Sequence, residues 1–169
     1  HGTVVAAIGA AAPRLLAFAK RAGRLSVDSS LRTANGKRLP LDRGTTVING
    51  APVLVKDGRV HATPGRDGAV HPDDPSFYYG WAHKRNPRTF AGIDSKGRLV
   101  LVTADGRSTD SLGLSIDEAA RVARSLGLRK AMNLDGGGST AAVVKGTVVT
   151  KPSDATGERP IGDSIQVLR

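Results

Sequence analysis

The chain contains no cysteine. Disulfide frameworks, thiol nucleophiles and Cys-based zinc sites are therefore excluded, while the compartment stays open. Aromatic residues are scarce: three Phe, two Tyr and a single Trp. No apolar run approaches the roughly 20 residues of a membrane-spanning helix, so no transmembrane segment is expected. The start, His1-Gly2-Thr3, has neither an initiator Met nor the charged and apolar regions of a signal peptide, and it reads as a cut or processed end. Acidic residues are also in deficit. Fifteen Asp+Glu against 25 Lys+Arg give +10 and a pI near 10.7, which favours anionic partners such as phosphate-bearing polymers, nucleic acid or acidic lipid. No helix-turn-helix, zinc-finger or RRM-type aromatic motif is present, which argues against nucleic acid. No repeat or low-complexity tract occurs. A length of 169 residues suits one domain with a real core.

The chain is organised around Asn133-Leu134-Asp135-Gly136-Gly137-Gly138-Ser139-Thr140, which lies between the apolar runs Leu128–Met132 and Ala141–Val144. Three glycines in such a pattern fill no core. They suit a turn that needs positive φ or a close approach of another group to the main chain. Their bare N–H groups, with Asp135 and Ser139 beside them, can face an anion, and an ordinary hairpin turn is the structural alternative.

Several other segments carry chemistry. Phe77-Tyr78-Tyr79-Gly80-Trp81 holds four of the six aromatics. Read as a strand, it divides them between core and an exposed face on which Tyr79 or Trp81 could stack a sugar or a base. Lys84-Arg85-Asn86-Pro87-Arg88-Thr89 offers two guanidinium forks in a Pro-stiffened context suited to phosphate, or else a solvated basic turn. Asp105-Gly106-Arg107 ends the strand Leu99–Thr103, where Asp-Gly is also a common turn dipeptide. His61, His71, Asp73 and Asp74 lie in a long aperiodic loop with no spacing that aims them at a metal.

The remaining elements are local readings. Val4–Ile8, Leu25–Val27, Thr45–Ile48, Val53–Val55, Ala141–Val144 and Ile161–Val167 read as strands. Asn35-Gly36, Asp57-Gly58, Asp94–Gly97 and Lys145-Gly146 read as turns. Ser115-Ile116-Asp117-Glu118 is a capping box opening a helix with an apolar face at Ile116, Ala119, Ala120, Ala123 and Leu126. The fold class expected is α+β: a mixed, largely antiparallel sheet system packed by two helices, near Ala11–Ala22 and Ile116–Leu126.

Taken in order, Arg85–Thr89, Asp105–Arg107, the capped helix, Asn133–Ser139, Pro152-Ser153-Asp154 and Gly157-Glu158-Arg159-Pro160 form a series that resembles the phosphodiester glycosidase family, from about Thr45 to the C-terminus. Asn49–Gly58 also looks like a family segment. Ala141-Ala142 after Ser139-Thr140, and Thr150 before Lys151-Pro152, depart from the family pattern. The resemblance implies a hydrolase acting on a sugar-1-phosphodiester at or outside the cell surface. Its leaving group is a phosphomonoester, so the larger catalytic need is a fixed cationic pocket for phosphate. On this reading Asp135 and Asp105 are the catalytic carboxylates. Arg85, Asn86, Arg88, Thr89, Arg107, Asn133, Gly136, Gly137, Gly138 and Ser139 bind substrate. No metal or cofactor is required, although two aspartates beside a phosphate could hold Mg²⁺ or Ca²⁺. Residues 1–169 are expected to form a single domain lacking the N-terminal part of the family domain, so that a second chain or that segment would complete the pocket. The alternative is a non-catalytic module that binds anionic, phosphate-containing glycopolymers.

Overall fold

The computed structural model describes residues 5–23, 26–28, 30–33 and 35–168. The chain forms two compact units, His1–Val47 and Ile48–Arg169. In the first, α1 spans Ala11–Arg21. A short hairpin follows, with β1 (Leu31–Arg32) antiparallel to β2 (Arg38–Leu39), closed by Gly36 at φ 83°. α1 has no buried residue, and Leu16 and Phe18 are exposed. Of the strands expected here, Val4 and Leu25 lie outside the described residues. Val5–Ile8, Val27 and Thr45–Val47 are not in strands.

The second unit is built on a five-stranded sheet. Its strands are β3 (Val53–Lys56), β4 (Arg59–Val60), β5 (Arg88–Asp94), β6 (Leu99–Ala104) and β7 (Leu128–Asn133), in the order β4-β3-β7-β5-β6. Every described pairing is antiparallel. Two tight turns set the hairpins: Asp57-Gly58 with positive φ at both positions, and Asp94–Gly97, where Asp94 Oδ1 accepts from the N–H groups of Lys96 and Arg98. β6 and β7 are both antiparallel to β5, so they run in the same direction, and joining them requires a crossover.

That crossover is the helix α3 (Ile116–Ser125). Ser115 Oγ accepts from Glu118 N at 3.2 Å, and Glu118 Oε2 accepts from Ser115 N at 2.9 Å, closing the capping box. Ile116, Ala119, Ala120 and Ala123, spaced i, i+3, i+4, i+7, are buried against Leu54, Val55, Phe90, Leu128 and Ala131. Three alanines in that stripe let the helix lie close to the sheet. The opposite sheet face carries Ile93, Leu99 and Leu101, all exposed.

Phe77–Trp81 is helical rather than extended. Pro75–Tyr78 forms a short α2, and Tyr79–His83 continues as a π-helical turn. Pro75 at the helix start favours helix over strand, and Ser76 Oγ donates to Asp74 Oδ1 at 2.5 Å just before the first turn. Near the C-terminus, β8 (Val143–Val144) pairs with β9 (Thr147–Val148). Ile161–Val167 forms no strand, since none of the described edges pairs with it.

Candidate active site

The ends of β5, β6 and β7 meet at Arg88, Ala104 and Asn133, and the loops that leave them build the site. β7 runs directly into the glycine turn, a single 3₁₀ turn at Gly137–Ser139. Most of the turn's amides bond within the protein. Gly136 N donates to Asp135 Oδ1 at 2.8 Å, Gly137 N to Pro87 O at 2.9 Å and Ser139 N to Gly136 O at 3.1 Å. Gly138 N–H has no partner among the described residues.

What the glycines provide is close approach. A Cβ on Gly136 would lie 2.8 Å from the Pro87 carbonyl and 3.2 Å from the Trp81 ring. On Gly137, at φ 60°, it would lie 3.1 Å from the Arg107 guanidinium. On Gly138 it would run into the Asp154 carboxylate and the Arg159 guanidinium. Two guanidinium groups therefore rest on the bare backbone of the turn, one on each of two successive residues. Asp154 and Arg159, quoted in the resemblance without a role, join the site. Their signal was the acid and base flanking Gly157, five residues apart.

The three guanidiniums nearest the turn are held differently. Arg107 stands in the left-handed region at φ 57°, and its Nε and a terminal nitrogen donate to Asn86 Oδ1 at 3.2 and 3.0 Å. That acceptor is neutral, so the exposed Arg107 keeps its whole charge. Asn86, 6% exposed, is itself fixed because its Nδ2 donates to Gly80 O and Lys84 O at 2.9 and 3.2 Å. Arg159 is paired with Asp154 through Nε at 2.6 Å. Arg88 is fully buried, donating to the carbonyls of Leu114 (2.8 Å), Lys84 (3.3 Å) and Trp81, with the Trp81 ring 4.5 Å from its guanidinium. Burial first, and the like charge of Arg107 second, push its pKa down to about 10. One terminal nitrogen of Arg88 has no partner among the described residues.

Arg85 is turned away from this constellation. It forms a bidentate pair with Glu118 on α3, Nε lying 2.9 and 3.0 Å from the two carboxylate oxygens. The Arg85 guanidinium, and then the Ser115 amide, hold the Glu118 carboxyl down to about 2. Asn133 is also withdrawn. It is fully buried, and its Nδ2 donates to Ala51 O at 2.9 Å and Leu134 O at 2.7 Å, while Oδ1 has no partner among the described residues. Thr89 is partly buried and hydrogen-bonds Thr140 across 3.3 Å, pinning the turn to β5.

Of the two carboxylates, Asp135 is exposed, with one oxygen on the Gly136 amide. Asp105 is partly buried and anchors the segment after β9 by accepting from Lys151 N at 2.9 Å. Lys151 Nζ reaches Asp110 at 2.6 Å, so the segment from Lys151 to Arg159 runs from the Asp105 turn to Gly138. Among the described residues no three His, Asp or Glu side chains converge as a metal site. No described helix is long and apolar enough to cross a membrane.

The fold of this chain is similar to that of known proteins. The profile of the family described as phosphodiester glycosidase matches residues 1–168, and the chain belongs to that family. N-acetylglucosamine-1-phosphodiester alpha-N-acetylglucosaminidase of Mus musculus is 30% identical over 118 residues, which is 68% of this chain and 22% of the mouse protein. The catalytic domain of the zebrafish protein of the same name, auto-inhibited by its pro-peptide, is similar with a TM-score of 0.56 at 28% identity, covering 63% of this chain and 35% of that one. A Burkholderia pseudomallei protein described as exported is 46% identical with a TM-score of 0.52, covering 57% of this chain and 19% of that one. The chain thus spans between 13% and 22% of the length of these curated relatives from mouse, human and cattle.

Proposed function

We propose that this domain hydrolyses the sugar–phosphate glycosidic bond of a sugar-1-phosphodiester, with N-acetylglucosamine as the sugar, at or outside the cell surface. The observation that carries the reading is the seating of Arg107 and Arg159 on the side-chain-free faces of Gly137 and Gly138, beside the exposed carboxylate of Asp135. The family assignment and the names of the relatives support the substrate class.

In this reading Arg107, which meets no carboxylate among the described residues, holds the non-bridging phosphate oxygens together with the Gly138 amide, Ser139 and Arg159. Water adds to the anomeric carbon while the bond from that carbon to the bridging oxygen breaks. The bridging oxygen and its electron pair leave with the phosphate. The products are the free sugar and a phosphomonoester, whose second negative charge develops against guanidiniums already in place. Asp135 faces the anomeric carbon, either as the base that takes the proton of that water or as a nucleophile whose glycosyl ester the water hydrolyses in a second step, and Asp105 shapes the pocket from the Lys151 side. Asn86, Arg88, Asn133 and Thr89 are positioning residues in this scheme, and Arg85 serves the helix. We further hold that a segment or chain outside these residues completes the pocket, in keeping with the greater length of the relatives and the exposed sheet face.

The test is release of free N-acetylglucosamine from its methyl phosphodiester. Asp135→Asn should lower the rate by about 10²–10⁴-fold with unchanged circular dichroism and melting temperature. Full turnover by Asp135→Asn would refute the assignment. Saturable binding without turnover by the parent chain and by its longer natural form would replace hydrolysis by binding.

A further inference from the structure

Beside the glycine turn lies a hollow of about 190 Å³, lined by Ala51, Pro52, Ala69, Phe77 and Trp81 among others. Its walls are mostly apolar, with Asp67 and His71 the ionisable lining residues, and they are tied to the site. Pro52 O accepts the Asn133 amide, Ala51 O accepts Asn133 Nδ2, and the far edge of the Trp81 ring abuts Gly136. The loop opposite is fixed as well, because Asp67 Oδ2 accepts from Val53 N at 3.1 Å and Thr63 Oγ1 at 3.3 Å. The lining carboxylate is thus already engaged and does not make the hollow a cation site. His71 stacks on Phe77 with ring centroids 4.2 Å apart, which braces the outer wall.

We infer that this hollow is a sugar subsite, taking the C–H face and acetamido methyl group of the sugar whose phosphate sits against Arg107; the inference rests on the function proposed above. Three features point there. The volume is below the roughly 300 Å³ of pockets that enclose drug-sized ligands, so it admits part of one sugar ring and no oligosaccharide. The lining offers aromatic and aliphatic surface, which suits the apolar face of a pyranose and an acetyl methyl group but gives hydroxyls few partners. Trp81 belongs to both places, lining the hollow and touching the turn that carries the phosphate pocket, which is the relation a sugar directly bonded to phosphate requires.

Trp81 is also the only tryptophan in the chain, so its emission reports occupancy without a label. The experiment titrates the chain with N-acetylglucosamine-1-phosphate, glucose-1-phosphate and inorganic phosphate, following fluorescence and calorimetry. N-acetylglucosamine-1-phosphate should bind about tenfold more tightly than inorganic phosphate, and glucose-1-phosphate should fall between them. Ala69→Phe, which fills the hollow, should abolish that preference and leave inorganic phosphate affinity within about twofold. Phe77→Ala, at an exposed position that tolerates truncation, should reduce the preference by about threefold and keeps the test valid if the filled variant fails to fold. A preference retained in Phe77→Ala and in any folded Ala69→Phe, with phosphate still bound, overturns the subsite alone. Failure of both the parent chain and its longer natural form to bind inorganic phosphate or to release sugar overturns the function proposed above, and the subsite with it.

Discussion

Replacing Arg88 by Met tests whether a buried cation here serves the fold or the ligand. The side chain is fully buried, donates to the carbonyls of Leu114, Lys84 and Trp81 and lies 4.5 Å from the Trp81 ring. Two of those carbonyls have other donors: Leu114 O accepts from Asn86 N at 3.1 Å and Lys84 O from Asn86 Nδ2 at 3.2 Å. Met of similar length therefore strands chiefly the Trp81 carbonyl, at about 1–3 kcal/mol, and forfeits about 1–2 kcal/mol of cation–ring attraction. Relief from burying a charge offsets part of this. The net expected loss is about 3 kcal/mol, or about 10 °C in melting temperature for a domain of this size. Arg88→Lys, charged but without the fork, should fall between the two. Urea unfolding followed by Trp81 emission measures both. If Arg88→Met stays within about 1 kcal/mol of the parent, the guanidinium is not what holds the loops at Trp81, Lys84 and Leu114, and the structural role given to it is wrong.

Arg107 should behave in the opposite way: Arg107→Gln changes stability by less than about 0.5 kcal/mol but weakens inorganic phosphate binding about 10- to 100-fold, read by calorimetry. Asn86→Asp should pair with Arg107 and weaken phosphate binding, as a salt titration of the affinity would show, and it should also lower the melting temperature, because a carboxylate cannot donate to Gly80 O and Lys84 O. The glycines separate by what their Cβ meets. Gly136→Ala strikes the Pro87 carbonyl and costs about 1–3 kcal/mol in denaturant melts, whereas Gly138→Ala displaces only the flexible Asp154–Arg159 pair and should raise KM with the melting temperature kept. Glu118 is ionised in the folded chain down to about pH 2. Its folded pKa is depressed, so its contribution is full above about 4.5 and fades as pH falls towards 2. Glu118→Gln should lower the melting temperature at pH 7 and flatten its decline across that window.

The features legible in the sequence are those that a few neighbouring residues decide. Ser115 and Glu118 close a capping box within one turn, Asp57-Gly58 and Asp94–Gly97 fold hairpins, and Leu99–Ala104 is apolar enough to need a place in the sheet. Arg107 lies against the bare backbone of Gly137, about thirty residues further along the chain. Where partners are distant in sequence, the reading failed. Thr45–Val47 and Ile161–Val167 are as β-branched as true strands but meet no described edge to pair with, and strand formation depends on such a partner. The aromatic run reads equally well in either periodicity over five residues, and Pro75 decided for a helix. The functions of the arginines were hidden for a similar reason. Arg85, Arg88, Arg107 and Arg159 are chemically identical in the sequence, and only the acceptor each one meets, a carboxylate on α3, three carbonyls, an amide oxygen or Asp154, separates anchors from a cation left with its full charge.

The uncovered sheet face at Ile93, Leu99 and Leu101 sets how this chain will behave in a tube. Ten net positive charges push molecules apart in dilute buffer, where repulsion reaches about 30 Å at 0.01 M salt, but at 1 M that reach shrinks to about 3 Å. Purification steps that rely on concentrated sulfate will therefore bring those oily strands together and promote clumping, whereas a low-salt cation-exchange route should keep the preparation monodisperse.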